Sequence, residues 1–233
     1  MQTFSMVAQK GGTGKTTLLL NLAVAAHEDG HKALIIDIDS QASACKWADR
    51  RGKSYPEKAE YPLVMDAQPE RLAHAIEKAK SMGFDFVLID TPAKSGDAGL
   101  AASRVADVVL IPCRPQLLDI ETIRSTKDIL RIAESPIAAV ILNAVAPVGF
   151  KRRDEAASAI TKYGVQVLQQ AISVRTVFGD ATAFGLSVLE YEPDGSAAQE
   201  IRVLYNQIIQ LAGKQESIGY NHGSKATRSQ RVG

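Results

Sequence analysis

The chain has 233 residues and a mass of 25.0 kDa, and its 45% hydrophobic and 23% charged residues exclude disordered and collagen-like classes. Its 27 Lys and Arg against 26 Asp and Glu leave a net charge of +1, so any DNA binding must come from a local patch rather than from bulk charge. Cys45 and Cys113 stand far apart, which argues against a disulfide framework or a cysteine zinc site and fits a reducing, cytoplasmic compartment. The longest apolar stretch, 18–26, is broken by Asn21 and is too short to cross a bilayer, and no basic segment leads into a secretory signal.

In chain order, a strand is predicted over 3–8, then a helix over 15–29, a strand over 33–38 and a helix over 42–51. The polar stretch 49–62, with Gly52 and Pro56, reads as a surface loop. A strand over 63–66, a helix over 69–82 and strands over 86–90 and 108–112 follow, then a helix over 117–133 and a strand over 138–143. The pattern ends with a helix over 154–163, a short strand over 165–168 and a helix over 197–211. Several strands are continuous apolar runs, as strands buried on both faces of a parallel sheet are. The alternation predicts an α/β fold, a mostly parallel twisted sheet with helices on both faces and right-handed crossovers, as one domain over 1–212. Residues 213–233 carry Lys214, Lys225, Arg228 and Arg231 against Glu216 and read as a disordered basic tail.

The sharpest motif follows the first strand and opens a helix: Lys10-Gly11-Gly12-Thr13-Gly14-Lys15-Thr16-Thr17. Glycines there let backbone N–H groups curl around phosphate oxygens, and the helix N-terminus adds a favourable dipole. In this phosphate-loop pattern Lys15 reaches the β- and γ-phosphates and the Thr16 hydroxyl ligates Mg²⁺. A dinucleotide fingerprint needs a third glycine or alanine where this chain has Thr17, which argues against a nicotinamide or flavin enzyme.

The K-G-G-x-G-K-T-T form, with Gln9 where the ordinary pattern has glycine, resembles the deviant Walker A loop of the ParA/MinD superfamily of P-loop ATPases. The resemblance continues through Asp37-Ile38-Asp39-Ser40-Gln41, with Ser40 in place of the usual proline, and through Phe86-Val87-Leu88-Ile89-Asp90, which matches a Walker B strand. It extends to Val108-Val109-Leu110-Ile111-Pro112 and the later Leu117-Leu118-Asp119. It implies a P-loop NTPase fold, ATP and Mg²⁺, and hydrolysis of ATP in a homodimer. Lys10 is then the signature lysine that reaches the partner subunit's nucleotide, and residues 10–17 bind the nucleotide. Lys15 and Asp39 complete the catalytic set, Asp39 by orienting water. Thr16, Asp37 and Asp90 lie at or near the Mg²⁺ shell, and Asn143 bonds adenine.

The resemblance falls closest to the small partition-type branch, because the phosphate loop begins at residue 10 with no operator-reading domain before it. It implies an ATP-dependent dimer that holds nonspecific double-stranded DNA, associates with the nucleoid and is switched by a centromere-binding adaptor. The DNA-binding candidates are Lys151, Arg152, Arg153, Arg175 and Arg202. Ile201, Leu204, Ile208 and Leu211 recur on one helical face as a core pattern, so a membrane role is not expected. The alternatives are a MinD-like spatial regulator and a metabolic P-loop enzyme, neither with a role on DNA.

Overall fold

The computed structural model describes residues 1–93, 96–134, 137–146 and 150–226, the side chains of 150 and 214–226 excepted. Seven parallel strands form its sheet. They are β1 Gln2–Met6, β2 Ala33–Asp37, β3 Leu63–Asp66, β4 Phe86–Asp90, β5 Val108–Cys113, β6 Ala138–Leu142 and β7 Gln166–Val167, ordered β3-β2-β4-β1-β5-β6-β7. Central β2, β4 and β5 are buried throughout, while edge β3 and β7 are partly exposed. This is why the central strands read as unbroken apolar runs.

The period of two in each strand divides the core. Phe4, Ile35, Leu88 and Leu110 face one side, which is covered by α1 (Lys15–Glu28) and α9 (Ser196–Ala226). Residues 18–20 and 22–26 of α1 are all buried, because the helix lies between the sheet and α9. Ile201, Leu204 and Ile208 of α9 face this core, as their spacing predicts. Leu34, Ile36, Val87, Ile89, Val109 and Ile111 face the other side. There they meet α3 (Leu72–Ser81), α4 (Gly96–Val105), α5 (Leu117–Ala133) and α6 (Phe150–Thr161).

Several expectations need correction. The stretch 49–62 is irregular only in its second half: α2 runs Ser43–Ser54, a 3₁₀ turn follows at Pro56–Lys58, and Arg51 is only 2% exposed. Helix α4 was not expected, because Gly96 and Gly99 are poor helix formers; a Cβ on Gly99 would stand 3.3 Å from Val7 Cγ1, a tight approach. The short helices α7 (Val177–Ala183) and α8 (Val188–Tyr191) were also missed, and α6 begins before the predicted 154. Helix α9 runs on through backbone 213–226 of the expected tail, and residues 227–233 lie outside the described residues; the tail reading itself stays an expectation. Among the described residues no helix is long and apolar enough to cross a membrane.

Candidate nucleotide site

The register brings the carboxyl ends of β1, β2 and β4 level: Met6 pairs with Asp90, and Asp90 with Asp37. The β1–α1 loop therefore opens beside two acids, in the crevice where sheets of this type bind ligands. Gly12 and Gly14 adopt φ of +71° and +94°, and a Cβ on Gly14 would collide at 2.1 Å with Asn143 Nδ2. Glycine at 14 is thus required by backbone conformation, and any side chain there would displace the Asn143 amide. No side chain caps α1 at Gly14, which leaves its first N–H groups to a ligand.

Residues 11–17 line a cavity of about 450 Å³ together with Asp39, Ser40, Gln41, Ser43, Pro92 and Ala93. Lys15 is buried in this cavity, and burial lowers its pKa against the opposing charges of Asp90 and Asp39. Such an ammonium is held ready for a multiply charged anion that replaces its lost hydration. Asp39 accepts the Gln41 N–H at 2.9 Å through Oδ1, leaving its carboxylate at the cavity wall.

Thr16 Oγ1 donates to Asp90 Oδ2 at 2.6 Å, whereas the buried Asp90 Oδ1 has no hydrogen-bond partner. Burial pushes the Asp90 pKa up to about 7; the Thr16 bond and Lys15 oppose this, while Asp37 and Asp39 add to it. A hydroxyl beside an orphaned carboxylate oxygen fits a hydrated divalent cation such as Mg²⁺. Among the described residues no cluster of three or more His, Cys, Asp or Glu is arranged to hold a metal, so such a cation depends on water and phosphate oxygens for its remaining ligands.

Two of the expected residues already carry contacts within the fold. Asp37, assigned near the Mg²⁺ shell, accepts the backbone N–H groups of Asp39, Ala44 and Cys45 at 3.0, 3.0 and 3.3 Å. Its oxygens anchor the first turn of α2, satisfying donors that α2 would otherwise leave open. Asn143, assigned to adenine, donates from Nδ2 to the Thr13 carbonyl at 2.7 Å and so tethers the phosphate loop to the end of β6.

Lys10 lies outside the cavity lining, which begins at Gly11. Its Nζ meets Asp119 Oδ2 at 2.5 Å, and Arg114 clasps the same carboxylate through Nε to Oδ1 at 2.9 Å and Nη2 to Oδ2 at 3.4 Å. The loop thus carries two lysines with different fates, Lys15 in the cavity and Lys10 on a buried acid at its rim.

A model of the CobQ/CobB/MinD/ParA nucleotide binding domain matches residues 4–188. The chain belongs to this family. The maintenance of carboxysome distribution protein A of Gloeobacter kilaueensis is 29% identical over 202 residues, covering 86% of this chain and 89% of that protein. The MinD cell division protein of Aquifex aeolicus superposes with a TM-score of 0.75 at 21% identity, covering 90% of this chain and 98% of its own. The septum site-determining protein MinD of Pyrococcus horikoshii, complexed with Mg-ADP, gives a TM-score of 0.70 at 24% identity over 91% and 97% of the two chains.

Within this ParA/MinD-type domain the basic candidates lie on separate elements. Lys151 and Arg152 are exposed at the start of α6; Lys151 is 4.0 Å from Glu155, and Arg153 bonds its neighbour Asp154 at 3.3 Å. Arg175 is held by Glu200 at 3.0 Å, and Glu200 also takes the Ser173 N–H at 2.9 Å and hydroxyl at 2.7 Å. Arg202 on α9 meets Glu28 at 3.7 Å and the Pro193 carbonyl at 2.7 Å. Sequence reasoning assigned no role to Arg114, which sits five residues before Asp119 and meets Lys10's acid only through the fold.

Proposed function

We propose that this chain is a Mg²⁺-dependent ATPase that positions cargo, pairing two copies around ATP, holding DNA in that state and letting go after hydrolysis. The observation that carries the reading is the division of labour between Lys15, inside the cavity, and Lys10, outside it on Asp119. In this reading the rim lysine serves a second copy's nucleotide rather than its own. The likeness to the carboxysome-distribution protein favours cargo positioning over small-molecule metabolism.

In this reading the backbone N–H groups of the loop and of the α1 N-terminus cradle the phosphates, and Lys15 neutralises charge developing on the transferred group. Mg²⁺, when bound, would supply charge neutralisation at the phosphates. Thr16 and the free oxygen of Asp90 would hold that cation's shell, and Asp39, which lines the same cavity, orients the attacking water. Lys10 adds positive charge in trans, so a lone subunit is catalytically incomplete. DNA contact comes from Lys151 and Arg152 on the exposed face of α6, joined by Arg153, Arg175 and Arg202 where they exchange their present acids for phosphates. A small adaptor on the cargo, centromere-binding if the cargo is a plasmid, triggers hydrolysis.

Sedimentation of the full chain with ATP, ADP or no nucleotide, with and without nonspecific duplex DNA, tests this directly. A dimer with ATP alone, bound to duplex in a way that weakens steeply with added salt, is expected. A monomer under all conditions, with turnover indifferent to DNA, overturns the reading in favour of a metabolic P-loop enzyme.

A further inference from the structure

Asp119 has a side chain only 1% exposed and two cations on it. Lys10 and Arg114 are themselves 29% and 27% exposed, so each cation can exchange with solvent while the acid cannot. One cation would suffice to hold a buried carboxylate, so the second calls for an explanation. The two differ in tether. Arg114 follows directly on β5, whose last residue, Cys113, pairs with Leu142 in the sheet, and its guanidinium contacts both oxygens of Asp119. Lys10 stands at the start of the glycine-rich loop and contacts one oxygen through a single flexible ammonium.

We propose that Arg114 is a positioning residue for subunit pairing: it keeps Asp119 neutralised when Lys10 leaves to serve the partner's nucleotide. The inference rests on the proposed trans role of Lys10. If Lys10 alone held Asp119, its departure would strand a buried charge, the costly event in any enclosed ion pair. Because the Arg114 fork remains on both oxygens, Lys10 moves from one acceptor to another without leaving an unpaired acid behind. Arg114 therefore acts through Asp119 and touches no nucleotide.

The test is ATP-dependent dimerisation of the full chain by sedimentation velocity, in the unmodified protein and in Arg114→Gln, Arg114→Lys, Asp119→Asn and the Arg114→Gln/Asp119→Asn double variant. Arg114→Gln is expected to weaken the dimer at least ~10-fold, equivalent to ~1.4 kcal/mol. Its monomer should melt like the unmodified chain and bind a fluorescent ATP analogue equally well, because Lys10 still neutralises Asp119 there. Arg114→Lys should restore most of the dimer, and Arg114→Gln should have no further effect once Asp119 is Asn. A normal dimer in Arg114→Gln, or the same loss in both backgrounds, overturns the assignment. Absence of an ATP-dependent dimer in the unmodified chain overturns this inference together with the trans-lysine reading, so the two failures are distinguishable.

Discussion

Two carboxylates, the buried Asp90 at the end of β4 and the largely enclosed Glu190 in α8, show what separates a site from a brace. Glu190 receives Arg51 on both oxygens at 2.8 Å, the Ser187 N–H at 3.0 Å and Lys58 at 3.4 Å. Burial pushes its pKa up, but these bonds and charges outweigh burial and hold it below its ordinary value. Arg51 in turn reaches the carbonyls of Lys58 at 2.8 Å and Gly185 at 3.2 Å and lies over the Trp47 ring at 5.0 Å, so the pair ties α2 to α8. Asp90 has only the Thr16 hydroxyl and a vacant buried oxygen, and its pKa rises to about 7. Burial is common to both. The unmet bond distinguishes the acid with an oxygen open to a ligand from the acid that holds the fold.

The sharpest way to break this contrast is to remove one partner from each side. Arg51→Ala strands Glu190 and should cost about 3–5 kcal/mol, read as a fall in the thermal midpoint, whereas an apolar replacement of both residues should cost much less. A midpoint unchanged by Arg51→Ala would remove the brace. At the other site Lys15→Ala should cut phosphate release at saturating Mg²⁺-ATP by about 10²–10³-fold while leaving the melting curve near its original position. Turnover surviving that change would deny Lys15 its place at the phosphates.

Acid–base behaviour sharpens the same comparison, because the two shifts have opposite signs. Asp90, raised from an ordinary value of 3.8 to about 7, holds a proton in the native state that the unfolded chain has lost. The ligand-free protein should therefore lose stability as pH rises from about 4 to about 7, and Asp90→Asn should flatten that slope. Glu190, lowered from 4.5, contributes stability that is present above 4.5 and lost as pH falls through its folded value. Thermal melts across pH in Asp90→Asn and Glu190→Gln separate the two; a slope between pH 4 and 7 that survives Asp90→Asn assigns it elsewhere. The smallest effect is expected from Asn143→Ala. Losing its bond to the Thr13 carbonyl should weaken nucleotide binding by about 0.5–1.5 kcal/mol, measured by titration calorimetry.

Much of the site was legible in the sequence because its parts are local. The phosphate loop is one contiguous run, and Asp39 and Asp90 stand at or just beyond the ends of apolar strands. The strands themselves were visible as continuous apolar runs, and α9 announced its core face by spacing. Helix α4 was hidden by its glycines, and the second half of α2 by its polar residues. Arg51 looks solvated in the sequence, and only Glu190, 139 residues later, makes it a core residue.

By itself, the amino-acid order determined the parallel α/β sheet, the phosphate loop and the acids at its mouth, because period, glycine spacing and strand-end position are short-range properties. Tertiary structure alone decided which polar groups meet: Asp37 on the α2 N-terminus, Asn143 on Thr13 and Lys10 with Arg114 on Asp119. The last two contacts of the loop span 130 and 109 residues. A hydrogen bond or ion pair is specified by the final ångströms of approach, and only the packed chain supplies them.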